Sequence, residues 1–215
     1  AESRSVLAAL GVPAEQIYFL GYPDTGMPYE ESFLRRLYDG CRVSASRWGR
    51  TETWRPDGQD FHFMRSGCHS TYTAASVLRD LSDVLALVNP DTVYVTAPGD
   101  CHGDHDALGR FTTQAVAAME NPPALYYYLI HADRTDIWPE RDAERFRLPP
   151  MAADHPLLRC AAERRPLPDG FPPAEKYSLI QSYTSQDPAA YNGYLLAFAK
   201  NDELVFRVER LPSRT

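Results

Sequence analysis

The sequence predicts an α/β fold with a mostly parallel sheet. Apolar residues recur at intervals of three and four through Tyr72–Val88, and a second helical pattern covers Asp106–Met119. Short runs of β-branched and aromatic residues, Thr92–Thr96 and Ala124–Ile130, alternate with those helices. Strand and helix in alternation is the pattern of βαβ units. The 215 residues are enough for one such domain with a sizeable core, so residues 1–215 are read as a single domain.

The elements follow in order. Glu2–Leu10 is an amphipathic helix stopped by Gly11. Ile17–Gly21 is an apolar run that reads as a buried strand, and Tyr22-Pro-Asp-Thr-Gly26 turns the chain. Tyr29–Val43 has helical spacing, with Phe33, Leu34, Leu37 and Tyr38 on one face. Ser44–Thr71 is the least regular stretch and reads as a long excursion over a pocket. The helix over Tyr72–Val88 ends at Asn89-Pro90-Asp91. Pro149–Pro173 is Pro-rich and reads as irregular. Lys176–Lys200 returns to helix with a break near Asp187-Pro188, and Leu204–Glu209 alternates like an edge strand.

Composition excludes several classes. The net charge is −7, lysine occurs only at Lys176 and Lys200, and the arginines form no basic stripe, so nucleic acid is not an expected partner. No run of about 18 apolar residues exists to span a membrane. Ala1–Leu10 is too charged for a signal peptide, and the cytoplasm is the expected compartment. Cys41, Cys68, Cys101 and Cys160 form no Cys-x-x-Cys pair and are read as free thiols rather than thiolate zinc ligands.

The chemistry concentrates in Pro98-Gly-Asp-Cys-His-Gly-Asp-His-Asp106, between a strand and a helix. In open α/β sheets, ligands bind in such loops at the carboxyl ends of strands. Asp100, His102, Asp104, His105 and Asp106 are costly to gather unless they are solvated or bind something. Imidazole with carboxylate is a good zinc donor set, and carboxylates beside a ligating histidine fix its tautomer. A solvated loop with an aspartate helix cap, and a metal-assisted esterase or phosphatase, are the alternatives the loop alone leaves open. His131 ends a strand and is a candidate for the pocket lining. His62 and His69 sit among Trp48, Trp54, Phe61 and Phe63, either a sugar-stacking platform or a local apolar cluster.

The order strand, Thr-x-Pro-x-Asp-x-His-x-Asp-His, helix resembles the second signature of the PIG-L/LmbE-like deacetylase family. Phe19-Leu-Gly-Tyr-Pro-Asp24, Tyr128-Leu-Ile-His131 with Trp138-Pro139, and Lys176 with Tyr183-Thr-Ser-Gln186 resemble other stretches of it in the same order. The resemblance implies a Rossmann-like three-layer α/β/α fold, a divalent metal, usually zinc, and hydrolysis of an N-acetyl group on a glucosamine-containing conjugate. It implies that His105 is a metal ligand, that His102 stands by the scissile amide, that Asp104 orients an imidazole, and that Asp100 shapes the loop. The family's first signature, His-Pro-Asp-Asp-Glu, has no counterpart in the sequence. The expectation is therefore a domain lacking its first strands, open to a complementing N-terminal segment. A non-catalytic carbohydrate- or partner-binding relative is the other reading.

Overall fold

Thr92–Thr96 forms β1 within the bounds the sequence predicts. In the computed structural model, which describes residues 2–25, 31–41, 45–56, 58–133, 135 and 137–212, β1 runs parallel to β2, Ala124–Tyr128. Thr92 pairs with Ala124 and Thr96 with Tyr128. The crossover between them carries a helix, Gly103–Ala118, which packs on β1. This is the expected βαβ unit. Two more strands, β3 (Ala161–Pro166) and β4 (Asp202–Arg207), complete a four-stranded sheet in the order β1-β2-β4-β3.

The expectation of a mostly parallel, three-layer sheet is corrected in part: the protein is mixed α/β, and β1–β2 is its parallel pair. β4 is antiparallel to β2, with Tyr126 opposite Arg207 and Tyr127 opposite Phe206. A parallel partner needs a crossover that brings the chain back to the same end, whereas β4 enters from the opposite end. β4 is also an inner strand, not the predicted edge. Leu204, Val205 and Phe206 are all buried, as a strand covered on both faces requires.

The predicted strand at Ile17–Gly21 is not formed. Its backbone bonds singly to neighbours that are not strands: Phe61 N–H, at the start of a helix, donates to the Phe19 carbonyl at 2.8 Å, and Trp54 N–H to the Gly21 carbonyl at 3.1 Å. An apolar run becomes a strand only where a ladder partner exists. Gly21 has φ +79°, and a Cβ there would lie 2.9 Å from the Asp60 side chain and 3.0 Å from Trp54 N, so this close approach needs glycine.

The chain divides into two compact units. One comprises Tyr18–Ile130, Ala153–Ala161 and Phe206–Thr215. Its helices are α2 (Phe33–Tyr38), α3 (Phe61–Ser66), α4 (Ala74–Val88) and α5, the crossover helix Gly103–Ala118. α2 lies inside the predicted Tyr29–Val43 span, both ends of which fall outside the described residues. α3 interrupts the stretch expected to be irregular; the Asp60 carboxylate caps it by accepting from Phe63 N–H. Thr73 caps α4 and Asn89, at φ 45°, ends it. Phe33, Leu37, Tyr72, Val77, Ala107 and Phe111 form its core. Phe33 meets Tyr72 and Tyr38 meets Phe111 edge-on, a favoured aromatic geometry.

The other unit comprises Ala1–Ile17, His131–Ala152 and Ala162–Val205. It holds α1 (Glu2–Ala9), α6 (Pro173–Gln181) and the short α7 (Ala190–Gly193). The predicted break at Asp187 is real: the residue has φ 42°, which no helix continues through. Trp138, Phe146 and Phe198 pack together, and buried Lys200 donates to the carbonyls of Glu140 and Arg141. The Pro-rich stretch is less irregular than expected, since it contains a 3-10 turn at Pro156–Arg159 as well as β3.

Candidate functional site

β1 delivers the chemical loop and α5 takes it up. The helix starts at Gly103, three residues before the predicted start, so Asp104, His105 and Asp106 lie in its first turn. Three features hold the loop. Gly99 N–H donates to buried Asp106 at 2.7 Å, and Asp106 is itself paired with Arg35 and Arg110. Gly99 has φ +93°, and a Cβ there would meet the His155 ring at 2.7 Å. Thr96 Oγ1 donates to the His105 carbonyl at 2.8 Å.

Asp100, 3 % exposed, is the carboxylate that faces an imidazole. Its Oδ1 lies 3.4 Å from His105 Nδ1 and accepts His102 N–H at 2.9 Å, and its Oδ2 accepts Ile130 N–H at 3.0 Å. Burial works to raise its pKa. The His105 imidazole and the two backbone N–H groups outweigh that, and the carboxyl sits below the usual carboxylate value. With a carboxylate beside Nδ1, Nε2 is the nitrogen of His105 that could take a metal. The His102 and His105 rings stack, with centroids 4.4 Å apart.

Asp104 does different work. Its Oδ2 accepts Thr25 N–H at 2.8 Å and Thr25 Oγ1 at 3.2 Å. Its Oδ1 accepts Ser32 Oγ at 2.5 Å and Leu34 N–H at 2.7 Å. A carboxylate offers about four acceptor sites, and these four donors fill them. Asp104 thus fastens the segment around Thr25 to the first turn of α5. Sequence reasoning gave Asp104 the orienting of an imidazole and Asp100 the shaping of the loop; in the structure Asp100 stands 3.4 Å from His105 Nδ1, and Asp104 shares a group with His102.

That clamp brings Asp24 to the loop, with its Oδ1 3.6 Å from His102 Nε2. Asp24, His102 and Asp104 form a group whose donor atoms lie within 4.8 Å of one another and that could hold a metal ion. Since the oxygens of Asp104 already accept four hydrogen bonds, Asp104 is the member of this group least suited to hold an ion. Sequence reasoning read Asp24 as part of a turn and of a stretch resembling the family, not as a site residue. Nothing in local spacing relates it to a histidine 78 positions later; a pairing across that distance is set by the fold.

The other candidates have partners of their own. His131 belongs to the other unit, where its ring stacks on Tyr194 at 5.4 Å. His69 pairs with buried Asp60, and His62 Nδ1 lies 3.2 Å from buried Asp80, so both serve the internal polar network of their stretch. Phe61 is core, while Trp48 and Trp54 are exposed. All four cysteines are free thiols.

The geometry defines a cluster of imidazole and carboxylate at the end of a parallel strand, of metal-ligand and acid–base type. The family model for GlcNAc-PI de-N-acetylase, PIG-L, matches residues 1–116, more than half of the chain, and the protein belongs to that family. Membership points to hydrolysis of the deacetylase type. No curated protein matches the chain, and no solved structure does. No helix among the described residues is long and apolar enough to cross a membrane.

Proposed function

We propose that the protein takes part in metal-dependent removal of an N-acetyl group from a glucosamine-containing conjugate. Its part of the site is the loop from Asp100 to His105 together with Asp24. The observation that carries this is the buried Asp100 carboxylate against His105 Nδ1, in a chain of the PIG-L family. A carboxylate there selects the tautomer that a metal-ligating imidazole needs.

The metal of this reading is zinc or a similar divalent cation; His105 would be a ligand to it, and Asp24, which stands by His102, is the carboxylate nearest the loop that could help. Such an ion polarises an amide carbonyl and makes water nucleophilic near neutral pH. His102 is buried, and the Asp24 carboxylate lies 3.6 Å from its Nε2. In this reading His102 steadies negative charge on the amide oxygen or gives a proton to the departing amine. Asp104 keeps Asp24 in reach and exchanges no proton. A catalytic zinc normally has three protein ligands. In this reading the complement is a His-Pro-Asp-Asp-Glu segment on a strand beside β1, which ends the sheet on its outer side among the described residues.

The test is amine release from an N-acetylglucosamine conjugate with zinc present. The chain would be assayed alone and joined to a segment bearing His-Pro-Asp-Asp-Glu. Release that appears or rises with the segment and disappears in His105→Ala supports the proposal. A joined protein that binds zinc yet releases no amine from any such conjugate refutes it and favours a binding role.

A further inference from the structure

The aromatic stretch before α4 builds a cavity beside the candidate site. Ser46–Arg50 is a tight turn: Ser46 N–H donates to the Arg50 carbonyl at 2.7 Å, and Gly49 N–H to the Ser46 carbonyl at 2.9 Å. The N–H groups of Trp48 and Arg50 both donate to Ser46 Oγ at 3.3 Å. Trp54 is fixed through its N–H on the Gly21 carbonyl. Tyr22, Asp24, Ser46, Trp48, Arg50 and Trp54 help to line a cavity of about 620 Å³. Asp24 also stands 3.6 Å from His102 Nε2, so the cavity adjoins the candidate reaction site.

Two features of this cavity are unexplained by folding. Trp48 and Trp54 are 60 % and 41 % exposed, which is much apolar surface to leave in water at one place. The Arg50 guanidinium lies 4.0 Å over the Trp54 ring. Stacking uses the flat face of a guanidinium and leaves its N–H edge for a partner in the plane. Among the described residues Arg50 has no ion-pair partner to take that edge. Arg47 stacks on Trp48 at 4.2 Å and adds a second positive charge beside the cavity-lining Trp48. The arrangement suits a ring-shaped ligand that carries an oxyanion, since a guanidinium fork matches two anionic oxygens.

Resting on the de-N-acetylase reading, we propose that this cavity receives the part of the substrate next to the reacting acetamido group, and that Arg50, over the Trp54 ring, recognises a phosphate or carboxylate there. Arg50 is thus a specificity-determining residue, apart from the metal donors.

Calorimetric titration tests this without added metal. The chain would be titrated with N-acetylglucosamine, N-acetylglucosamine 1-phosphate and N-acetylmuramic acid, the last two distinguishing phosphate from carboxylate. At least one charged sugar is expected to bind about tenfold or more tighter than the neutral one, as charge-assisted bonds imply. Arg50→Gln, at an exposed position, is expected to bring that ratio near one with the neutral sugar's affinity unchanged. High salt is expected to erode the preference in the unsubstituted protein. Equal binding of all three sugars, or a preference that survives Arg50→Gln, overturns this inference alone. Failure to bind any of them overturns it, while the zinc-dependent amine-release assay decides the broader reading separately.

Discussion

Thr25 donates two hydrogen bonds to one oxygen of Asp104, from its backbone N–H at 2.8 Å and its hydroxyl at 3.2 Å. With Ser32 and Leu34 on the other oxygen, a single carboxylate ties Thr25, Ser32 and Leu34 to α5 and holds Asp24 beside His102.

Asp104→Asn replaces an acceptor with an N–H₂ group that faces donors. Buried donors left without partners cost ~1–3 kcal/mol each, so the substitution is expected to lower stability by about 3 kcal/mol in urea unfolding. Asp24→Asn, at an exposed carboxylate, is expected to change stability by less than ~0.5 kcal/mol while impairing amine release. Equal stability losses in the two variants would contradict the clamp.

Asp100→Asn probes the carboxylate behind His105. The folded pKa of Asp100 lies below its ordinary value, so the charged form contributes stability above the unfolded pKa of about 4. That contribution is lost as pH falls through the folded value. The variant is expected to be about 2 kcal/mol less stable at pH 7, the scale of hydrogen bonds to a charged group. The gap should close in strong acid. Thermal melts from neutral pH downward measure it, and a gap independent of pH counts against the assignment.

Gly109→Ala separates helix propensity from packing. Alanine is the better helix former by ~1 kcal/mol. Yet a Cβ at Gly109 would lie 2.3 Å from the Thr96 carbonyl oxygen and 2.9 Å from Pro98, both fixed by β1 and the loop. The variant is expected to be destabilised by about 2 kcal/mol or more, because overpacking forces backbone shifts. A rise in melting temperature would show that α5 does not press on the end of β1.

The two histidines are expected to fail differently in zinc-loaded protein that carries the complementing segment. His105→Ala should lose bound zinc together with amine release. His102→Ala should retain zinc and lose rate, by ~10²–10³-fold if it stabilises the transition state. Zinc analysis beside steady-state rates distinguishes them, and retention of zinc by His105→Ala would reverse the assignment.

The sequence by itself determined the β1–α5–β2 unit, the helix α4 and the chemical loop. Each is written in contiguous residues: β-branched runs, apolar spacing of three and four, and polar groups crowded between strand and helix. Phe33 and Leu37 were legible as a buried face for the same reason. Only the tertiary structure decided the rest. Ile17–Gly21 is apolar enough for a strand but bonds to Trp54 and Phe61, because a strand is defined by its partner and not by its own residues. β4 reads as an edge, yet lies inside the sheet, since strand order depends on the path of the chain. Asp100 and Asp104 are equivalent carboxylates in sequence. Their tasks diverge because one meets His105 and the other meets Thr25, Ser32 and Leu34, 70 or more positions away. Asp24 enters the site through the same long-range bonds, which no local pattern encodes.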